Sequence, residues 1–253
     1  MDLIKLKREL IEQKNSKFKG NIYHFSEVAF AYNSNKIEGG KLTEDETEEI
    51  FSTNSFIPKT GDAIKLDDLI EMKNHFRLFD YMLDNIDAKL SKENIIEMNK
   101  ILKRGTSDED NSRYNVGGFK ILPNKIGLIN VIDTSSPKDV DSDMTILLDW
   151  YNSLSNVSLE DIIEFHVRFE RIHSFGDGNG RVGRMIMFKE CLKNNIMPFI
   201  ILDKDKPFYM RVLKEYKNDK MFLIDTIKNE QDIYEQVCNE LLDFNLEKSD
   251  KNG

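Results

Sequence analysis

The chain has 253 residues, 40% of them hydrophobic and 32% charged, the composition of an ordinary globular protein with enough length for a substantial core. Its formal net charge of −9 argues against general affinity for nucleic acid or an anionic membrane. Two cysteines, Cys191 and Cys238, make neither a disulfide framework nor a zinc-ligand spacing, and Cys191 is expected to be a buried, reduced thiol.

The first 20 residues, MDLIKLKRELIEQKNSKFKG, are charged and lack an apolar signal core. No later run approaches membrane-spanning length, so a cytoplasmic location is expected. Residues 1–19 read as a short amphipathic helix. A second helix is predicted from about His24, with Phe25, Val28, Ala29 and Tyr32 as its stripe, stopping at Gly39 and Gly40. Thr43 and Glu46 are spaced as a capping box for the next helix. Leu69, Met72, Phe76, Phe79 and Leu83 alternate steps of three and four, which predicts a long helix over Leu66 to Leu83. Another runs through Glu93 to Leu102.

The period then changes. Gly117 to Ile132, GGFKILPNKIGLINVI, has short β-prone runs around Pro123 and Asn124 and reads as a β-hairpin. Helical pattern resumes at Val140, Met144, Leu147, Leu148 and Tyr151. Further helices follow Pro198 and Pro207, the last holding Ile233, Val237, Leu241 and Phe244 before a frayed EKSDKNG tail. The expected fold class is all-α with one short hairpin.

One stretch stands apart, His173 to Arg184, reading HSFGDGNGRVGR. Leu159, Ile162, Ile163, Phe169 and Ile172 share a helix face before it, and Val182, Met185, Ile186 and Leu192 share one after it. It is therefore a glycine-rich loop leading into a helix N-terminus, where unpaired backbone N–H groups favour anions. Arg181 and Arg184 lie three apart in the first turns of that helix. The pattern suits a polyphosphate.

These residues resemble the signature loop of Fic-domain proteins (the Fido fold), H-P-F-x-[D/E]-G-N-[G/K]-R-x-x-R, with Ser174 standing where proline is usual. The resemblance covers about Glu93 to Glu230 and implies a Fido core over 91–232, an N-terminal helical region over 1–90 and a C-terminal helix and tail over 233–253. It implies transfer of AMP from ATP, with Mg²⁺, to a Ser, Thr or Tyr hydroxyl of a protein. His173 would be the general base, since a neutral imidazole accepts a proton near cellular pH. Asp177 would hold Mg²⁺ through hard carboxylate oxygens. Asn179 and the amides around Gly178 and Gly180 would hold α-phosphate oxygens. Arg181 would stabilise the leaving pyrophosphate and Arg184 the γ-phosphate. Gly176, Val182 and Gly183 complete the nucleotide-binding loop, while Phe175 is expected to anchor it inward.

Tyr209 matches a tyrosine bordering the adenine in some relatives, with a core aromatic as the alternative. His166 is expected to be a hydrogen-bonded core histidine, and His24 and His75 carry no signal. The hairpin over 117–132 takes the place of the flap that pins a target peptide by strand addition. A plain structural hairpin is its alternative.

A second motif, Ser34-Asn35-Lys36-Ile37-Glu38-Gly39, resembles the inhibitory motif [S/T]-x-x-x-[E/G]-[G/N], placing an inhibitory helix over about 24–39. In relatives its glutamate pairs with the second loop arginine, which here sets Glu38 against Arg184. The implied function is a self-inhibited protein AMP-transferase that also modifies itself. Alternatives are a hydrolase removing AMP through the same site, a non-catalytic nucleotide-binding regulator, and transfer of a different phosphate-linked group. The expected partner is a protein with an exposed hydroxyl residue, with no nucleic acid and no membrane, and a homo-oligomer is compatible with the sequence.

Overall fold

The apolar periods become ten α-helices among the residues that the computed structural model describes, 1–16, 19–58, 63–126, 132–216 and 220–251. Helices α1 (Leu3–Ser16) and α2 (Ile22–Ile37) pair at the N-terminus, followed by α3 (Glu44–Thr53), α4 (Leu66–Asp84) and α5 (Lys92–Lys103). After two short strands come α6 (Val140–Asn152), α7 (Leu159–Ile172) and α8 (Asn179–Lys193), then a 3₁₀ turn (Asp203–Asp205), α9 (Lys206–Glu215) and α10 (Met221–Lys251).

Local chemistry fixes several starts. Thr43 Oγ1 accepts from the Glu46 amide at 3.2 Å while the Glu46 carboxylate accepts from the Thr43 amide at 2.9 Å, closing the expected capping box on α3. Ser158 and Asp161 make the same reciprocal pair at α7. Each cap satisfies amides that the helix leaves unpaired, at about 1 kcal/mol apiece.

Helix α8 is the axis of the molecule. All its residues except Gly180 and Lys193 are buried, as befits a helix packed on every side. Phe188 sits at its centre, with ring centroids 5.4 Å from Phe30 of α2, 5.5 Å from Phe79 of α4 and 5.7 Å from Tyr234 of α10. The polar pair Lys189 and Glu190 is buried too, joined at 2.7 Å. Lys189 also donates to the Ala88 carbonyl and Tyr151 to Glu190. A buried ion pair is tolerable when its remaining hydrogen-bonding capacity is used in this way. Cys191 and Cys238 are free and buried.

Two elements depart from the sequence reading. The hairpin does not turn at Pro123–Asn124: β1 (Lys125–Ile126) pairs antiparallel with β2 (Ile132–Asp133), and residues 127–131 of the expected flap lie outside the described residues. The first half of the expected hairpin is instead tied to the loop before α8. The Lys120 amide donates to the Ser174 carbonyl at 2.8 Å, and Asn124 Nδ2 to the Phe175 carbonyl at 2.9 Å. Bonds that a strand ladder would use are thus spent elsewhere. At the C-terminus α10 continues to Lys251 through the tail expected to fray, because Glu247 and Lys248 are good helix formers.

Phe188→Ala should cost about 3–5 kcal/mol of unfolding free energy, as deletion of a fully enclosed aromatic does. Chemical denaturation monitored by circular dichroism measures it, and a loss under about 1 kcal/mol would contradict the central position given to α8.

Candidate functional site

The loop between α7 and α8 is shaped by backbone and packing before any ligand is considered. His173 closes α7 in the left-handed region (φ 52°, ψ 60°), its amide bonded to the Phe169 carbonyl at 3.0 Å. The chain then reverses around Phe175, which is buried between Phe169 and Phe119 as the inward anchor expected of it. Gly178 also lies at positive φ (86°), and a Cβ on Gly176 would press on the Tyr114 main chain at 3.0 Å. Both positions require glycine. Helix α8 then begins from Gly178 with no side-chain cap, so its first-turn amides are left for an anion.

Three loop residues behave differently from expectation. Asn179 is 2% exposed, and both ends of its amide are bound to the Phe175 main chain at 2.9 Å. It clamps the loop through its carbonyl oxygen and one of its two side-chain N–H donors. Val182 is a core side chain whose amide is bonded to the Gly178 carbonyl. Gly183 lets α7 and α8 touch, since a Cβ there would meet Glu170 and His166 at 2.8 Å.

The two arginines reach back to α2 and α4. Arg184 is 4% exposed; its Nε donates to Ser34 Oγ at 3.0 Å, and its Nη2 to the Ser34 carbonyl at 3.0 Å and to Glu38 Oε1 at 2.7 Å. Both members of the expected second motif are therefore brought to the loop. Glu38 lies over the first turn of α8, where a Cβ on Gly180 would collide with its Oε1. Burial would raise the Glu38 pKa, but the Arg184 charge beside it more than compensates and lowers it.

Arg181 bonds Glu71 of α4 and Asp177 Oδ2, the latter at 2.8 Å. The same Asp177 oxygen pairs with Lys103 of α5 at 2.6 Å, and Lys103 also pairs with Glu71 and Asp108. Burial would raise the Asp177 pKa, yet Arg181 and Lys103 hold it at about 2. Carboxylate oxygens of Glu71, Asp108 and Asp177 lie within 4.8 Å of one another, a hard-oxygen set of the kind Mg²⁺ takes, and the Asp177 side chain is 45% exposed.

His173 is depressed below its ordinary 6.5, first by burial and then by the nearby Lys120. Lys120 is itself buried, pushed down to about 8, and its ammonium donates to Asn124 Oδ1, Thr134 Oγ1 and the Ile172 carbonyl at 2.6, 2.9 and 3.2 Å. It joins both arms of the hairpin to the turn of chain that carries His173.

Two cavities flank Glu38, and it lines both. One of about 110 Å³ is shared with His173, Gly180, Arg184 and Tyr209, the other of about 240 Å³ with Asp177, Arg181 and Glu71. Tyr209 fits both of its sequence readings: 1% exposed, with its hydroxyl 2.6 Å from His166 Nε2, it also borders the His173 cavity. His166 is the buried, hydrogen-bonded core histidine expected, held near 3 by burial and then by Arg184.

Sequence reasoning missed Glu71, Lys103, Asp108 and Lys120. Glu71, Lys103 and Asp108 sit in helices or a turn with no motif around them, Lys120 lies in the expected flap without a role assigned to it, and only the fold brings them to the loop. Glu170 was missed as well. Its carboxyl lines the His173 cavity and is raised to about 8 by burial and by Glu38.

Residues 89–191 match the Fic/DOC family model. The chain is 23% identical over 188 residues to the protein adenylyltransferase Fic of Nematostella vectensis, covering 73% of this chain and 42% of that protein. It is 24% identical over 177 residues to protein adenylyltransferase fic-1 of Caenorhabditis elegans, covering 68% and 33%. The chain thus spans less than half the length of these curated relatives. Among solved structures, a Fic domain containing signaling protein from Bacteroides thetaiotaomicron superposes with a TM-score of 0.72 at 23% identity, over 92% of this chain and 89% of that one. The loop, its helical frame and these likenesses together give the chain the all-α Fic fold, with residues 89–191 matching the Fic/DOC family.

Lys120→Met should raise the His173 pKa toward 6.5 by removing the neighbouring cation. The His173 ring proton, followed by NMR through a pH titration, reads this directly. An unchanged or lower midpoint would leave burial as the sole cause.

Proposed function

We propose that this protein transfers AMP from ATP to a Ser, Thr or Tyr hydroxyl of a protein, itself included, and that Glu38 holds the reaction back. The observation that carries the reading is the Glu38 carboxylate, paired with Arg184 at 2.7 Å and lying over Gly180 at the start of α8. A phosphate chain running along that helix start from the His173 cavity to Asp177 and Arg181 must pass the point Glu38 holds. The protein adenylyltransferases named among its relatives support the same chemistry.

The reaction divides among residues whose geometry is given above. Neutral His173 takes the proton as the substrate hydroxyl oxygen bonds to the α-phosphorus and the bond to the pyrophosphate oxygen breaks. The first-turn amides of α8 face the charge that builds on the α-phosphate oxygens. Arg181 receives charge on the departing pyrophosphate, and Arg184, once free of Glu38, the γ-phosphate. Asp177 is the carboxylate that would hold Mg²⁺, with Glu71 and Asp108 near it. The ion would supply neutralisation of phosphate charge. Lys103 already sits among those three carboxylates and competes for them.

With the nucleotide misplaced, attack is out of line, and positioning supplies most of the catalysis in phosphoryl-type transfer. Glu38→Gly should therefore raise AMP transfer, measured as label retained from α-labelled but not γ-labelled ATP. Arg184→Ala should lower it in either background. Glu38 borders the His173 cavity, so it is also placed to align water on a bound AMP group, and that second reading predicts the opposite. Under it, Glu38→Gly abolishes release of AMP from a modified protein. If transfer fails to rise and release fails to fall, Glu38 has neither role.

His173→Ala should lose on the order of 10²–10⁴ in transfer rate while ATP still binds. The base works above its own pKa and fails as pH falls through it. Because burial and Lys120 depress His173, transfer should hold steady through neutral pH and decline only below about 6.5. A limb centred above that value in the pH profile of kcat would assign the base to another group.

A further inference from the structure

On the far side of α2 a second cleft of about 440 Å³ opens between α2, the 3₁₀ turn and α10. That is the size of a small-molecule site, well short of a peptide groove. Phe25, Ile200, Tyr234 and Val237 give it an apolar wall. Its polar groups are chiefly acidic: Glu44 and Asp203 toward solvent, and Glu230 from α10 at the floor. Lys204, the basic residue of the lining, is exposed on the rim.

Glu230 is the feature that ordinary packing leaves unexplained. It is 1% exposed, and neither carboxyl oxygen has a partner in hydrogen-bonding geometry, although the Asp205 carboxyl and the Leu202 main chain lie close. Asp205 Oδ2 is likewise buried without a partner. A buried carboxyl whose oxygens lack a well-aligned donor is costly, and native structures rarely keep one without use. Burial, together with the Asp205 carboxyl, pushes Glu230 up to about 8, against the weaker opposing pull of Lys204 and the Leu202 main chain.

We propose that this cleft binds a small organic cation, an ammonium group on an apolar body, with Glu230 as its counter-ion. The ammonium would meet the carboxyl at the floor and donate to its unused oxygens, while the body fills the space between Phe25 and Val237. The acidic rim favours the approach of a cation over an anion of the same shape. The cleft shares Tyr32 with the cavity of Asp177 and Arg181, so its occupant would sit against the helix that carries Glu38.

Isothermal titration calorimetry on the full chain tests this with phenethylamine and, as its neutral match, phenethyl alcohol. The amine should bind about tenfold or more tightly than the alcohol, the scale of a hydrogen-bonded charge pair. Glu230→Gln, which keeps the shape and removes the group that must give up its proton to pair with the ammonium, should bring the two affinities together. Val237→Trp, filling the apolar wall, should abolish amine binding in a chain whose circular dichroism is unchanged. Equal affinities in the unaltered protein, amine binding that survives either substitution, or heat from MgCl₂ in place of the amine would overturn the proposal.

Discussion

The buried guanidinium of Arg184 is the contact on which the arrangement of this molecule turns. A cation that deep must be paired and hydrogen-bonded, or it costs several kcal/mol. Its donors are met chiefly from α2, through Ser34 and Glu38, with the Tyr209 ring of α9 5.9 Å from the guanidinium. The N-terminal helix is thereby fixed against the start of α8, and the loop of the Fic domain acquires a wall. The two acceptors are unequal: Ser34 is buried at 2%, whereas the Glu38 side chain is 40% exposed. If Glu38 swings away, Arg184 keeps both bonds to Ser34. Those bonds soften the loss, but the cation is then without its carboxylate, so release of Glu38 is favoured when another anion takes its place.

The other half of the loop is governed by a crowd of charges. Arg181 and Lys103 face Glu71, Asp108 and Asp177, two cations against three carboxylates, with neither cation exposed. Such a network keeps Asp177 ionised far below neutral pH and occupies Arg181 at the same time. In the proposed reaction a phosphate would take Arg181 from its carboxylate partners, and a divalent ion would displace the Lys103 amine from the acids. Substrate and metal would then compete with the same bonds, and each would ease the other's entry by freeing groups of the opposite sign.

What could be seen in the sequence is what is encoded locally. The helices follow from apolar spacing, the α3 cap from Thr43 and Glu46, and the loop from glycines, one at a left-handed torsion and the others where a Cβ has no room. The pairing of Glu38 with Arg184, 146 residues apart, was reachable because both motifs are short strings with a known relation. Side-chain direction was not legible. Asn179 sits among ligand-type residues and turns inward, because the loop needs its two amide groups to close on Phe175. The hairpin moved because Lys120 and Asn124 had better partners in the main chain around Ile172 to Phe175 than across a ladder. Glu71, Lys103 and Asp108 carry no signal in the sequence, since nothing in their own stretch of chain records what faces them across the fold.

Glu38 also violates a local rule in a way that explains its place. It is the C-cap residue of α2, where the helix dipole is negative and a carboxylate is disfavoured. Lysine or arginine would suit that end better. The chain offsets this by laying the carboxylate across Gly180, at the positive end of α8, and against Arg184. Local conflict resolved by a distant partner is the signature of a residue kept for a task other than helix formation. The same first turn of α8 draws a phosphate by the same field and the same amides. Carboxylate and phosphate are thus rivals for one helix end, and the stronger anion should prevail only when α2 can release Glu38. Under the proposed function, whatever loosens α2 at that point, whether a partner, a modification or an occupant of the cleft behind it, would act on the nucleotide site without touching it.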